Sequence, residues 1–215
     1  MGVVLSVNVG AVAEFRAGRG RWSAIVKKPI HGQVAVRGVN LQGDEQANRG
    51  FHGGPDQAVY AYPQESVDWW ADELGRPLEP GMFGENLTLE GVDTDGALIG
   101  ERWAIGGVVL EVTAPRTPCL KLQTRIGEPK FVKRFAAARR PGAYLRIVQE
   151  GELAAGDALE IVRRPGHDVT VALVNEALLF DSSLAPRLTP ARELLAERVR
   201  VWFDDRVQHP DRPRG

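Results

Sequence analysis

Glycine and proline cut this chain into short β-branched runs, and that punctuation is the strongest constraint on its fold. Val3 to Val9, Trp22 to Val26, Gly32 to Val39, Glu101 to Ile105, Val108 to Val112, Ala143 to Val148 and Ala158 to Val162 are all short and bounded by turn-forming residues. Ile105-Gly106-Gly107-Val108 has the form of a tight hairpin, and Gly156-Asp157 reads as a turn before the last strand. Many short strands of this kind predict a barrel or a sandwich. The 24 glycines and 14 prolines argue against a helical bundle. Two helices interrupt the pattern. Gln64 to Leu74 sets Val67, Trp70, Ala71 and Leu74 on one face, and Pro129 to Arg140 sets Val132, Phe135 and Ala136 on another, with Pro141-Gly142 after it.

The pattern changes after Arg163-Arg164-Pro165-Gly166. Asp168 is placed to cap a helix bearing Val171, Val174, Ala177 and Leu178. Ser182 to Leu188 is a candidate short helix. Thr189-Pro190 opens another, with Leu195, Val199, Trp202 and Phe203 at helical spacing. The expected organisation is a mainly β domain over 1–165, a small all-α domain over 166–207 and a polar tail over 208–215. About 40 residues bury too little surface to stand alone. The helices are therefore expected to pack on the β domain or across a dimer interface, near one edge of the site.

The formal net charge of −1 gives no global attraction to nucleic acid or to an anionic membrane. No apolar run reaches the roughly 18 residues of a membrane-spanning helix, and the N-terminus lacks the form of a signal peptide. With one cysteine, an internal disulfide is impossible. A cytoplasmic protein is expected.

That cysteine, Cys119, lies in Ala114-Pro115-Arg116-Thr117-Pro118-Cys119-Leu120-Lys121-Leu122, between a strand-like and a helix-like stretch. A helix start with Arg116 and Lys121 nearby is a setting that favours a thiolate, the form that attacks electrophiles and binds soft metals. A lone cysteine is also commonly a small buried hydrophobe. Three further segments are polar and turn-like: Gly43 to Asp56, Phe83-Gly84-Glu85-Asn86-Leu87, and Lys27-Lys28-Pro29. The first has paired Gly53-Gly54, which lets a backbone approach a ligand, with His52 beside them; the third is a possible anion contact. Each is also readable as an ordinary capped turn. Asp44, Glu45 and Asp56 are candidate paired carboxylates. His31, His52, His167 and His209 lack zinc-type spacing. No phosphate-binding loop, dinucleotide fingerprint or nucleophile elbow is present, and Gly151 to Gly156 reads as a plain loop between strands.

Taken together, Gly43-Asp44-Glu45-Gln46-Ala47, His52-Gly53-Gly54, Phe83 to Leu87, Ile99-Gly100 and Pro115 to Leu122 resemble the MOSC domain, which also forms the C-terminal part of molybdenum cofactor sulfurases. Their order and spacing are most similar to the YiiM-like branch, and 166–207 resembles the three-helix domain that follows MOSC there. Where that branch usually has Asp after Gln-Ala, this chain has Asn48. The resemblance implies a β-barrel holding a molybdenum cofactor, with Cys119 as the protein ligand to the metal and Cys119 and His52 as catalytic residues. Lys27, Gly53, Gly54, Asn86, Arg116 and Lys121 are the implied cofactor-binding residues. A thiolate suits a metal that otherwise sits on dithiolene sulfurs. Members of this type reduce N-hydroxylated compounds, including N-hydroxylated purine bases. The implied partners are therefore a small N-hydroxylated substrate and a separate redox protein as electron donor, with a homodimer left open. The resemblance also carries a family-level association with pyridoxal phosphate. Alternatives are a non-enzymatic carrier of the cofactor or of another phosphorylated ligand, and a sulfur carrier with a persulfide on Cys119. The missing fused pyridoxal-phosphate domain weighs against the last.

Overall fold

The computed structural model describes residues 2–17, 20–47 and 53–209. Its strands are β1 (Gly2–Val9), β2 (Ala13–Ala17), β3 (Gly20–Ser23), β4 (Lys28–Ile30), β5 (Val34–Arg37), β6 (Asn40–Leu41), β7 (Val59–Pro63), β8 (Leu87–Glu90), β9 (Arg102–Ile105), β10 (Val108–Pro115), β11 (Ala143–Gln149), β12 (Gly151–Leu153) and β13 (Ala158–Arg163). The α-helices are α1 (Gln64–Leu74), α2 (Leu120–Ile126), α3 (Phe131–Ala138), α4 (Val171–Leu179) and α5 (Glu197–Gln208). Two 3-10 helices cover Pro55–Gln57 and Ser182–Leu194.

Seven strands close a barrel in the order β13, β9, β10, β11, β7, β8, β1. The seam is the antiparallel pair β1–β13, where Gly2 faces Leu159 and Val3 faces Ala158. Every neighbouring pair is antiparallel except β7–β8. A parallel pair needs a crossover, and α1 lies in that connection. Strand β4 extends the sheet along β1 as an edge strand, which is where Pro29 is tolerated, because an edge position need not donate to the ladder. The Gly106-Gly107 hairpin joins β9 and β10 with Ile105 opposite Val108.

Two apolar clusters result. One fills the barrel with Val4, Leu89, Trp103, Leu110 and Val112 and continues into the C-terminal helices through Val169, Val174, Leu188, Val199 and Phe203. The other is aromatic and lies outside the barrel, where Tyr62, Trp70, Phe83, Phe131 and Phe135 join α1 and α3 to β7. The C-terminal helices thus pack on the barrel. Their backbone is tied to it by Ile99 N to Val169 O at 3.0 Å and Ala196 N to Thr113 O at 3.1 Å. The N-terminus of α5 is capped from the 3-10 helix at Pro55–Gln57: Glu197 N donates to Asp56 Oδ2 at 2.7 Å.

Several local expectations change. The run at Trp22 leaves its sheet after Ser23, so Ala24–Lys27 form a connection that carries Lys27 inward. The Gly32 run is strand only over Val34–Arg37. Gly151–Leu153 is β12, paired with β5, not a plain loop. Thr170 caps α4 in place of Asp168, its hydroxyl accepting from Leu173 N at 3.0 Å. Pro186 and Pro190 lack amide donors, and Ser182–Leu194 runs as a 3-10 helix, so the last α-helix starts at Glu197 and not at Thr189-Pro190. Helix α3 starts at Phe131, beyond Pro129, and buries Phe131 and Phe135; Val132 and Ala136 are only half-buried. Helix α5 runs on through Gln208, and 210–215 fall outside the described residues. Among the described residues no helix is long and apolar enough to cross a membrane.

Candidate functional site

One cavity gathers residues from stretches far apart in the chain. Its walls include Ser23, Ala24, Ile25 and Lys27; Asp44 to Ala47; Gln57, Ala58 and Tyr60; Gly84 and Asn86; Arg116, Cys119 and Lys121; and Tyr144. Strand β10 runs unbroken through Pro115 and delivers Arg116 to this wall. The chain then unwinds over Thr117-Pro118, and Cys119 sits in extended conformation at the N-cap of α2. Its thiol is free and half-buried.

Arg116 is 5% exposed. Its guanidinium lies over the rings of Tyr60 and Phe135, with Cζ 5.2 and 5.8 Å from their centroids. Its Nη1 is buried without a hydrogen-bond partner. A guanidinium carries five donors and keeps its charge, and Arg116 lines the cavity with its donors incompletely used, which suits it to hold an anion. Tyr60 and Tyr144 are a cross-strand pair with ring centroids 5.1 Å apart. Burial pushes the Tyr60 phenol well above its ordinary range, and it donates to Pro141 O at 2.7 Å.

Lys27, 7% exposed, pairs with Asp44 Oδ1. Burial pulls the Lys27 ammonium below its usual range, and the Asp44 carboxylate opposes that pull. Asp44 also accepts from Gly10 N at 2.8 Å and from Asn86 Nδ2 at 2.9 Å. The Asn86 carbonyl accepts from Tyr60 N at 3.1 Å, and Nδ2 also donates to Asn8 O at 3.2 Å. Lys27, Asp44 and Asn86 thus form a buried polar network that joins β1, β7 and two loops. Glu85 organises the turn before it, accepting from Gly81 N at 2.6 Å and Phe83 N at 3.0 Å, while burial raises its carboxyl pKa.

Lys121 lines the cavity and donates to Trp22 O at 2.9 Å. Gly53 and Gly54 are not among the lining residues. Gly54 has φ +87°, a conformation that favours glycine, and its amide donates to Gln46 Oε1 at 2.8 Å. His52 and Asn48 lie outside the described residues. No cluster of metal-ligating side chains occurs among the described residues. Asp44, Tyr60 and Tyr144 are site residues that the sequence reading did not single out for these roles. The tyrosines are 84 positions apart in sequence and meet only through the β7–β11 register. The far side of the site is braced by α5: Arg198 Nη2 donates to Thr117 Oγ1 at 3.0 Å, and Asp56 also binds Arg146 at 3.1 Å.

The MOSC domain family model matches residues 48–160. The chain is similar to the uncharacterized protein YflK of Bacillus subtilis, at 34% identity over 90% of this chain and 87% of that one. It is 34% identical to a protein named reductase from Gibberella moniliformis, over 76% of this chain and 30% of the relative. The crystal structure of YiiM from Geobacillus stearothermophilus superposes with a TM-score of 0.80 at 28% identity, over 96% of this chain and all of the other. The closed barrel, the cysteine-bearing segment after β10 and these likenesses agree: the chain belongs to the MOSC domain family, as a YiiM-like member.

Proposed function

We propose that this protein is a molybdenum-cofactor-dependent reductase that cleaves the N–O bond of N-hydroxylated compounds, N-hydroxylated purine bases among them, in the cytoplasm. The carrying observation is one cavity that presents a free cysteine and a buried guanidinium with an unused donor. This donor set suits the cofactor: sulfur for a soft metal, and a fixed cation for a phosphate. The family and the reductase-named relative point the same way.

When bound, the cofactor supplies the two-electron chemistry. The chain's own residues do the rest. Cys119 Sγ serves as the protein ligand. Arg116 would hold the anionic group of the cofactor, and Lys121, which lines the same cavity, would add positive charge. Lys27 acts chiefly through Asp44, holding the Gly43–Ala47 loop and Asn86 in place. Tyr60, its hydroxyl committed to Pro141 O, supplies a ring face against which Arg116 is fixed. Proton delivery to the leaving oxygen is assigned to His52, a residue that changes charge near neutral pH.

The test is metal and pterin analysis of protein from a host that makes the cofactor, beside Cys119→Ser. Wild type should carry stoichiometric molybdenum and reduce an N-hydroxylated purine with an artificial reductant, and the variant should lose both. Wild type purified without molybdenum, or a variant that keeps its metal, overturns the reading.

A further inference from the structure

The segment that carries Cys119 is strongly basic. Residues 116–140 hold eight Lys or Arg and one acidic residue, Glu128, whereas the whole chain has 27 and 28. The segment folds into α2 and α3, a helix pair that starts at Cys119. Some of this charge is used locally. Arg139 pairs with Glu176 at 2.8 Å, Arg134 approaches Glu73 at 3.8 Å, and Arg140 lies over Trp69. Lys130 and Lys133 are exposed, and their side chains have no ion pair or hydrogen bond among the described residues. Arg125 is half-buried, with a buried Nε that has no partner.

Two large apolar side chains near α2 stand in water. Trp22 and Leu120 are each 53% exposed. Both adjoin the cavity: Ser23, Cys119 and Lys121 line it, and Lys121 Nζ binds Trp22 O. An apolar centre with a basic surround is the composition of a docking site for an acidic protein. The net charge of −1 gives no global pull on such a partner, so local complementarity must steer it.

We propose that the face formed by Trp22, Leu120, Lys121, Arg125, Lys130 and Lys133 is where an acidic protein electron carrier docks. This rests on the reductase reading, in which two electrons and two protons break the substrate's N–O bond. The nitrogen keeps one proton in a new N–H bond, and the hydroxyl oxygen leaves with the other as water. The electrons come from the reduced flavin or iron–sulfur cluster of the carrier, in two one-electron transfers from successive carrier molecules, each of which leaves oxidised by one electron. The geometry matches a transient contact. Weak redox complexes bury less than about 1,200 Å² in total. Helix α3 packs against α2, with Val132 N donating to Gln123 Oε1 at 3.4 Å, and this sets Lys130 and Lys133 beside the helix that carries Leu120.

The test compares wild type with the double variant Lys130→Glu/Lys133→Glu. Substrate reduction is driven by reduced methyl viologen, then by reduced flavodoxin or a plant-type ferredoxin, both acidic. Binding of each carrier to cofactor-free protein is measured by calorimetry. The variant should keep the viologen-driven rate, raise the KM for the preferred carrier by about tenfold or more and weaken its binding by the same factor, about 1.4 kcal/mol. Added salt should weaken the wild-type complex more than the variant's. Equal carrier binding by both proteins overturns the proposal. So does binding of neither carrier, or binding of a DNA oligonucleotide or phosphatidylglycerol vesicles in their place. Absence of viologen-driven activity together with absence of molybdenum defeats the reductase reading instead, and calorimetry still reports on the face.

Discussion

Two buried cations line the same cavity and are held in opposite ways. Lys27 is enclosed by Asp44, which is itself bound by Gly10 N and Asn86, so its charge is answered within the protein. Arg116 rests on two aromatic rings and keeps Nη1 unanswered. A buried charge that the fold neutralises is a strut. One left with a free donor costs stability unless something outside the chain completes it. The same cavity therefore contains a structural half and a receptive half, although both halves look alike as basic residues in a sequence.

Breaking the strut should have the largest effect. Asp44→Ala strips the buried Lys27 of its paired carboxylate and leaves Asn86 short of an acceptor, so a loss of about 3–5 kcal/mol is expected. Urea denaturation reads it directly; a loss below about 1 kcal/mol would show that Lys27 is solvated instead of enclosed. Arg116→Met should do the reverse. It removes an incompletely bonded guanidinium in favour of an apolar side chain, so folding stability should stay within about 1 kcal/mol. Retention of an anionic ligand should drop about tenfold or more, since a charge-assisted contact contributes about 1.5–3 kcal/mol. Dialysis of the loaded protein against buffer, followed by pterin analysis, measures that drop. A variant that loses about 3 kcal/mol or more of stability, yet retains the ligand as wild type does while folded, would place Arg116 with Lys27 among the struts.

The third effect concerns an acidic counterpart of Arg116. Asp95 has a buried Oδ1 without a partner. Burial, helped by Asp93, raises its pKa from 3.8 to about 6, against a backbone hydrogen bond from Gly142. The folded state then binds more protons than the unfolded state between those values, so this group makes stability fall as pH rises through that window. Asp95→Asn cannot ionise. It should match wild type near pH 4 and exceed it by up to about 3 kcal/mol above pH 6. A variant whose stability parallels wild type across this range would show that Asp95 titrates like a surface carboxylate.

What the sequence discloses follows the same division. The Gly106-Gly107 hairpin, the α1 stripe and the Cys119 helix start are local, and local spacing predicts them. Strand β7 escapes such a reading because all five of its residues are buried, so it has no polar alternation to mark it as a strand. Strand β4 is obscured by Pro29, acceptable only because its position is an edge. Within the site, Lys27, Asn86, Arg116, Cys119 and Lys121 all reach the cavity wall. That Lys27 is answered by Asp44 while Arg116 is not depends on contacts across the fold, and no spacing rule contains it. The Tyr60–Tyr144 floor has the same character, because it exists only through strand register.

The barrel seam sets a clock for biosynthesis. Strand β1 pairs with β13, so the cylinder cannot shut until residues 158–163 are available. At about 5–20 residues per second, a ribosome reaches them roughly 8–30 s after it has made β1. Throughout that interval the nascent β1 shows an open edge, the kind of surface on which foreign strands assemble. Anything that pairs with β1 ahead of β13, a neighbouring nascent chain above all, competes with closure. Slow decoding between β8 and β13 lengthens the exposure, and its cost should appear as lower soluble yield and not as a less stable finished protein.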